Sequence, residues 1–275
     1  MGEGIKQTIK LSNGVEIPQV GLGVFRVRDE EELRGAVKAA LGTGYIHIDT
    51  AAAYQNEDMV GRAVADFGKR EDVFITTKLI NDRHEEAEAA FEESLEKLNT
   101  DYVDLYLIHW PNPHKGNFIK AWQSMIKFLE DGRARAIGVS NFKQAHLDTL
   151  IAETGVTPMV NQVERHPFFQ QKELADYCMA KGIKMEAYAP LTSGNLAEIS
   201  ELLGGVSKKH NKSVAQVMLR WQLQTGWIIL PKSVTPSRIE ENSQLFDFEL
   251  DYDDMKVIAA IESGRRYFPD SDTPR

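Results

Sequence analysis

The chain has 275 residues, a length that suits one large α/β unit, since an eight-fold α/β barrel needs about 250 residues. An apolar fraction of 42% and a charged fraction of 27% are those of a chain that buries a core, which excludes a disordered or fibrous protein. The net charge of -9 sets the overall field against phosphate backbones and anionic membrane surfaces, so neither nucleic acid nor membrane is expected as a partner.

A single cysteine, Cys178, excludes an internal disulfide and any multi-cysteine zinc site, and its plain reading is a small packing residue. The start Met1-Gly2-Glu3-Gly4-Ile5-Lys6 is polar, without the apolar core of a signal peptide, and Lys6 stands where a myristoylation signal needs Ser or Thr. No apolar run approaches the ~20 residues that span a bilayer. The expectation is a cytoplasmic protein.

In chain order, Gln7 to Lys10 and Val15 to Pro18 read as an N-terminal β-hairpin turning at Asn13-Gly14. Eight strand-like runs follow: Gln19 to Gly21, Ile46 to Asp49, Val73 to Thr77, Val103 to His109, Ala134 to Val139, Met159 to Val163, Ile183 to Tyr188 and Trp227 to Leu230. Between them lie helical patterns. Over Glu86 to Leu98, Ala87, Ala90, Phe91, Ser94, Leu95 and Leu98 recur at spacings of three and four, and Ala121 to Leu129 repeats this with Trp122, Met125, Ile126 and Leu129. Glycines at 42, 68, 132 and 182 are expected to end helices in a left-handed conformation. The alternation predicts one domain over residues 1–275, an α/β chain folded as a (β/α)8 TIM barrel behind the hairpin. A doubly wound open sheet is the alternative, but Gly21-Leu22-Gly23-Val24-Phe25-Arg26 lacks the third glycine and the following helix of the dinucleotide-binding fingerprint.

In a barrel the active site gathers where the strands end at their C-terminal side. The second run closes on Asp49, the third is followed by Lys78 and the fourth closes on His109, while Tyr54 lies in the loop after Asp49. This set suits delivery of a proton to an oxyanion, as in hydride reduction of a carbonyl. Tyr54 would supply the proton, Lys78 would lower the phenol's pKa, Asp49 would hold Lys78, and His109 would orient the oxygen. Any one of the four could instead be a buried ion-pair member or a strand cap. A Schiff-base role for Lys78 is a competing reading, disfavoured by the adjacent Asp49. The histidines His84, His109, His114 and His166 show no metal-binding spacing, and no metal is expected.

After the eighth run, Lys232, Ser233 and Arg238 flank a helix start at Thr235-Pro236, a pattern that suits an anion such as the 2′-phosphate of NADP. A solvated loop with ordinary surface charges would read the same way.

Gly44-Tyr45-Ile46-His47-Ile48-Asp49-Thr50-Ala51, with Tyr54, Glu57 and Gly61, closely resembles the first signature of the aldo-keto reductases. Ile137-Gly138-Val139-Ser140-Asn141-Phe142 is similar to the second, and Leu230-Pro231-Lys232-Ser233 through Arg238 and Asn242 to the third. His109-Trp110-Pro111 and the short C-terminus resemble the bacterial 2,5-diketo-D-gluconate and glyoxal reductase branch. The resemblance implies a barrel that binds NADPH/NADP+, with Asp49, Tyr54, Lys78 and His109 as its catalytic tetrad and Tyr54 as the acid. It implies that Ser140, Asn141 and Gln162 hold the nicotinamide carboxamide and that the ring stacks on Tyr188. The loop Pro190-Leu191-Thr192-Ser193-Gly194 would strap the pyrophosphate, with Pro190, Leu191 and Ser193 in contact. Lys232, Ser233, Val234, Thr235, Arg238, Glu241 and Asn242 would surround the adenosine 2′-phosphate. Phe25, Ile80, His109 and Trp110 would wall the pocket for a small carbonyl substrate, and a monomer is implied.

Two positions depart from the pattern. Ile46 stands where most relatives carry Arg, and Ile80 where related diketogluconate reductases often carry Trp, which removes one aromatic wall. A nucleotide-binding regulatory module with little turnover is the alternative function.

Overall fold

The structure, a computed structural model, describes residues 4–273; residues 1–3 of the polar start, and residues 274–275, lie outside it. Strands β1 (Thr8–Lys10) and β2 (Glu16–Pro18) pair antiparallel with Ile9 opposite Ile17. Their turn is set by Asn13, whose Oδ1 accepts from Val15 N at 3.1 Å, and by Gly14 at φ +91. The hairpin packs Leu11 and Ile17 against Phe74, Leu105, Leu107 and Ile228, plugging one end of the barrel.

Eight strands then pair in parallel, each with the next: β3 (Leu22–Gly23), β4 (His47–Asp49), β5 (Phe74–Leu79), β6 (Leu105–Ile108), β7 (Ile137–Ser140), β8 (Val160–Glu164), β9 (Lys184–Tyr188) and β10 (Ile228–Ile229). The first strand is shifted from the expected Gln19 to Gly21. Its two sides are used at different heights, because closing a sheet into a barrel staggers the register. On one side Leu22 and Gly23 face Ile48 and Asp49 of β4. On the other, Ile229 N donates to Gln19 O and Gly21 N donates to Ile229 O, both at 2.9 Å. Parallel bridges Val20 to Ile229 and Gly23 to Lys232 complete the seam, so first and last strands meet and the barrel is closed. Gly21 is required there: a Cβ would lie 2.7 Å from His47 Nδ1 and from Leu230 Cδ2.

The connections carry α1 (Glu30–Gly42), α2 (Glu57–Phe67), α3 (Ala87–Leu98), α4 (Phe118–Glu130), α5 (Gln144–Thr154), α6 (Lys172–Ala180), α7 (Ala197–His210), α8 (Val214–Gln224), α9 (Pro236–Glu241) and α10 (Tyr252–Ala259). Helix α1 starts where Asp29 Oδ1 accepts from Glu32 N at 2.9 Å, and buries Leu33, Ala36, Val37 and Ala40 against the sheet. In α3 the buried face is the one the periodicity defines. Helix α4 begins a turn earlier than Ala121, at Phe118, because Phe118 belongs to the same buried stripe as Trp122 and Met125.

Of the expected glycine stops, Gly132 (φ +81) and Gly182 (φ +75) are left-handed. Gly42 instead ends α1 within the helix, and the turn falls to Gly44 at φ +95. Gly68 caps α2 in an extended conformation; a Cβ there would sit 3.3 Å from Leu41 Cδ1 and Val73 Cγ2, so packing selects it. Among the described residues no helix is long and apolar enough to cross a membrane.

Candidate active site

The strand ends bring Asp49, Tyr54, Lys78 and His109 to one mouth. Lys78 is fully buried, and its Nζ donates to Asp49 Oδ1 at 2.8 Å, Asp49 Oδ2 at 2.7 Å and Thr50 O at 2.7 Å, with Tyr54 Oη at 3.4 Å. Burying two charges costs several kcal/mol per ion. This pair survives because the ammonium is ringed by oxygens and the carboxylate accepts a further bond from Gln162 Nε2 at 2.9 Å.

Tyr54 reaches the pair from a single 3-10 turn, Ala52–Tyr54, ended by Gln55 in a left-handed conformation. The turn is anchored by Asn56, fully buried, whose Nδ2 donates to Val24 O (3.0 Å) and Val27 O (2.9 Å) while its Oδ1 accepts from Thr50 Oγ1 (2.7 Å). His109 follows β6, its N–H held by Leu79 O at 3.2 Å. Its ring meets the Tyr54 ring edge-on, with centroids 5.7 Å apart.

The sign of the Tyr54 shift corrects the sequence-based expectation. Its pKa stands well above the ordinary phenol value, raised by burial first and then by the charges of Asp49 and Glu186. The Asp49 carboxylate, 2.7 Å from the Lys78 ammonium, offsets part of that ammonium's pull on the phenol. Tyr54 therefore keeps its proton at neutral pH.

A cavity of about 480 Å³ opens above the tetrad. It is lined by Asp49, Tyr54 and His109, by the apolar walls Phe25 and Trp110, and by Ser140, Asn141, Gln162 and Tyr188. Tyr188 Oη donates to Asn141 Oδ1 at 2.8 Å, Asn141 Nδ2 donates to His109 O at 2.9 Å, and Ser140 Oγ donates to Gln162 O at 2.9 Å. These bonds lock Asn141 in a left-handed backbone, φ +65. Ile80 is not among the residues that line this cavity.

The cavity runs on past Pro190, Leu191, Ser193 and Gly194 to Lys232. The loop is tightly coiled, with Ala189, Thr192, Ser193 and Gly194 all at positive φ. Ser233, Val234, Thr235, Arg238, Glu241 and Asn242 lie beyond the lining, along the start and body of α9. Pro236 takes the first helical position after Thr235, while Ser233 Oγ, not the Thr235 side chain, caps the turn by accepting from Thr235 N at 3.1 Å. Lys232 and Arg238 are exposed and engage no carboxylate among the described residues.

Three contributors escape sequence reasoning. Phe268, from the C-terminal tail, lines the cavity with its ring 6.1 Å from Phe25 and 5.2 Å from Tyr188. Arg26 lines the mouth at φ +61, and Glu186 lies buried below Gln162. Glu186 was detectable as a charge inside an apolar run; Phe268 had no local signal. Among the described residues no group of three or more His, Cys, Asp or Glu side chains could hold a metal.

A phenol beside a buried ammonium at the C-terminal mouth of a closed barrel marks an oxidoreductase of the barrel class. The chain belongs to the Aldo/keto reductase family, whose model matches residues 19–263. Over 275 residues it is 50% identical to glyoxal reductase of Bacillus subtilis (strain 168), covering 99% of each chain. It is 45% identical to methylglyoxal reductase DkgA of Escherichia coli (strain K12), covering 96% of each. A solved structure of the Gox0644 D53A mutant in complex with NADPH superimposes with a TM-score of 0.93 at 39% identity, covering 98% of this chain and 99% of that one.

Proposed function

We propose that the protein reduces small aldehydes, ketoaldehydes or diketo sugars to alcohols with NADPH, and that Tyr54 is the proton donor. The observation that carries this reading is the shared cavity, in which the Tyr54 hydroxyl, 3.4 Å from Lys78 Nζ, faces the same space as His109, Asn141, Gln162 and Tyr188. The similarity to glyoxal and methylglyoxal reductases supports the substrate class.

The residues fit the cofactor. The Tyr188 ring offers a stacking face, Ser140, Asn141 and Gln162 offer polar groups at its edge, and the Pro190 to Gly194 loop borders the continuing channel. Lys232 and Arg238, which engage no carboxylate among the described residues, suit a phosphate dianion, with Ser233, Val234, Thr235, Glu241 and Asn242 around them. When bound, NADPH supplies the hydride. The chain's own groups do the rest. Phe25, Trp110 and Phe268 exclude water and leave the carbonyl oxygen between Tyr54 and His109. An alkoxide is a far stronger base than a phenolate, so the proton passes from Tyr54 downhill as charge develops. Lys78 then stabilises the phenolate left behind.

The test is to follow NADPH oxidation with methylglyoxal, a diketogluconate and an aromatic aldehyde. Carbonyl-dependent oxidation is the expected result. Tight NADPH binding without turnover across that panel would overturn it and point to a nucleotide-binding role.

A further inference from the structure

Strand β9 places below the cavity floor a carboxyl that the proposed reaction does not use. Glu186 is fully buried, in register with Gln162 of β8 and Ile228 of β10. Its Oε2 accepts from Gln162 Nε2 at 2.7 Å, and the same nitrogen donates to Asp49 Oδ2 at 2.9 Å. Its other oxygen, Oε1, has no hydrogen-bond partner. His47 Nε2 lies 4.0 Å away and is engaged by Thr76 Oγ1 at 2.9 Å. A carboxyl so placed is a burden on folding, and its one hydrogen bond goes to Gln162.

An amide nitrogen carries two hydrogens, and here both point at carboxyl oxygens. Turning the amide over would aim Oε1 at two acceptors. Among the described residues no donor meets Gln162 Oε1, and that atom is not sealed from the cavity that Gln162 lines.

We propose that Glu186 is a positioning residue: by taking one N–H of Gln162 it fixes the amide with its oxygen toward the cavity, so that the site selects a ring substituent that donates a hydrogen bond. The inference rests on the reading of Gln162 as a contact of the cofactor's carboxamide. A carboxamide meets the requirement; a methyl ketone at the same ring position does not. Burial and the neighbouring Asp49 charge push the Glu186 carboxyl up to about 8, so near neutrality it accepts from Gln162 without adding a second negative charge beneath Lys78. Asp49 alone holds one hydrogen of the amide and leaves the other free to turn.

The experiment compares dissociation constants of NADP+ and of its 3-acetylpyridine analogue by fluorescence titration, in the wild type, Glu186→Gln and Glu186→Leu. Thermal melting and binding of 2′-phospho-ADP-ribose, which lacks the ring, serve as controls. The wild type should favour NADP+ by about tenfold, the weight of one hydrogen bond near 1.4 kcal/mol. Glu186→Gln, which still presents an oxygen to Gln162, should keep the preference, and Glu186→Leu should lose most of it with unchanged binding of the ringless ligand. Glu186→Met carries the same comparison should the leucine variant fail to fold. An unchanged preference in the apolar variant, with only a lower melting temperature, would reduce Glu186 to a packing residue. Equal wild-type affinity for the two dinucleotides would also overturn the proposal. Failure of the wild type to bind NADP+ at all would overturn the cofactor reading beneath it.

Discussion

Glu164 holds Phe268 over the cavity: at the end of β8 its Oε2 accepts from Phe268 N at 3.2 Å, and its Oε1 accepts from Tyr267 N at 2.6 Å. His166 Nε2 reaches the same Oε1 at 3.0 Å, and Lys143 pairs with Asp270 and Asp272 further along the tail. Hydrogen bonds to a charged acceptor contribute about 1.5–3 kcal/mol each, enough to order a short tail. Glu164→Ala should therefore free the tail, raise KM for the carbonyl substrate several-fold and leave NADPH affinity within about twofold. Steady-state kinetics and trypsin cleavage at Arg265 or Arg266 would check this. Unaltered KM and an uncut tail would show that Phe268 is held by packing alone.

Tyr54→Phe removes the hydroxyl and keeps the ring that packs 5.0 Å from Phe25. Carbonyl reduction should fall by roughly 10²–10⁴, the usual weight of a positioned acid. NADPH affinity, read by fluorescence titration, should hold. Normal turnover would demote Tyr54 to a wall of the pocket.

Lys78→Met leaves the Asp49 carboxyl buried without its cation, with Gln162 as its one remaining side-chain donor among the described residues. Breaking a buried pair costs about 3–5 kcal/mol, so the melting temperature should drop sharply. Adding Asp49→Asn should restore much of the stability while activity stays lost. A double variant no more stable than the single one would mean that the charge of Asp49 is not what makes the single change costly.

His47 lies beneath the tetrad, and burial holds its imidazole down to about 3, neutral in the fold. The unfolded chain takes up the proton near 6.5, so between these values the unfolded state binds more protons and stability falls as pH falls. Urea denaturation at pH 7.5 and pH 5 should show His47→Gln losing less stability than the wild type, by up to about 2 kcal/mol. Equal losses would place the acid sensitivity elsewhere.

The barrel was legible because each strand is a short apolar run and each helix shows its buried face at spacings of three and four. The tetrad was legible because its charges sit at the ends of those runs. The offset of the first strand was not, since it depends on two neighbours that pair with it at different heights. Phe268 was hidden for a similar reason: the bond that fixes it spans 104 positions. The direction of the Tyr54 shift follows from burial and the charges of Asp49 and Glu186 acting in one sense, and a string of letters names the charges without their depths.

The seam between Val20 and Ile229 also bears on how the molecule comes into being. Its last rung joins segments from opposite ends of the chain, so a nascent polypeptide can stack its early strands and helices but cannot close the ring until residue 229 has emerged. Until then β3 presents an unpaired edge, the kind of surface that invites association with another chain. Newly made protein is thus most vulnerable to aggregation in the interval just before its final strand arrives.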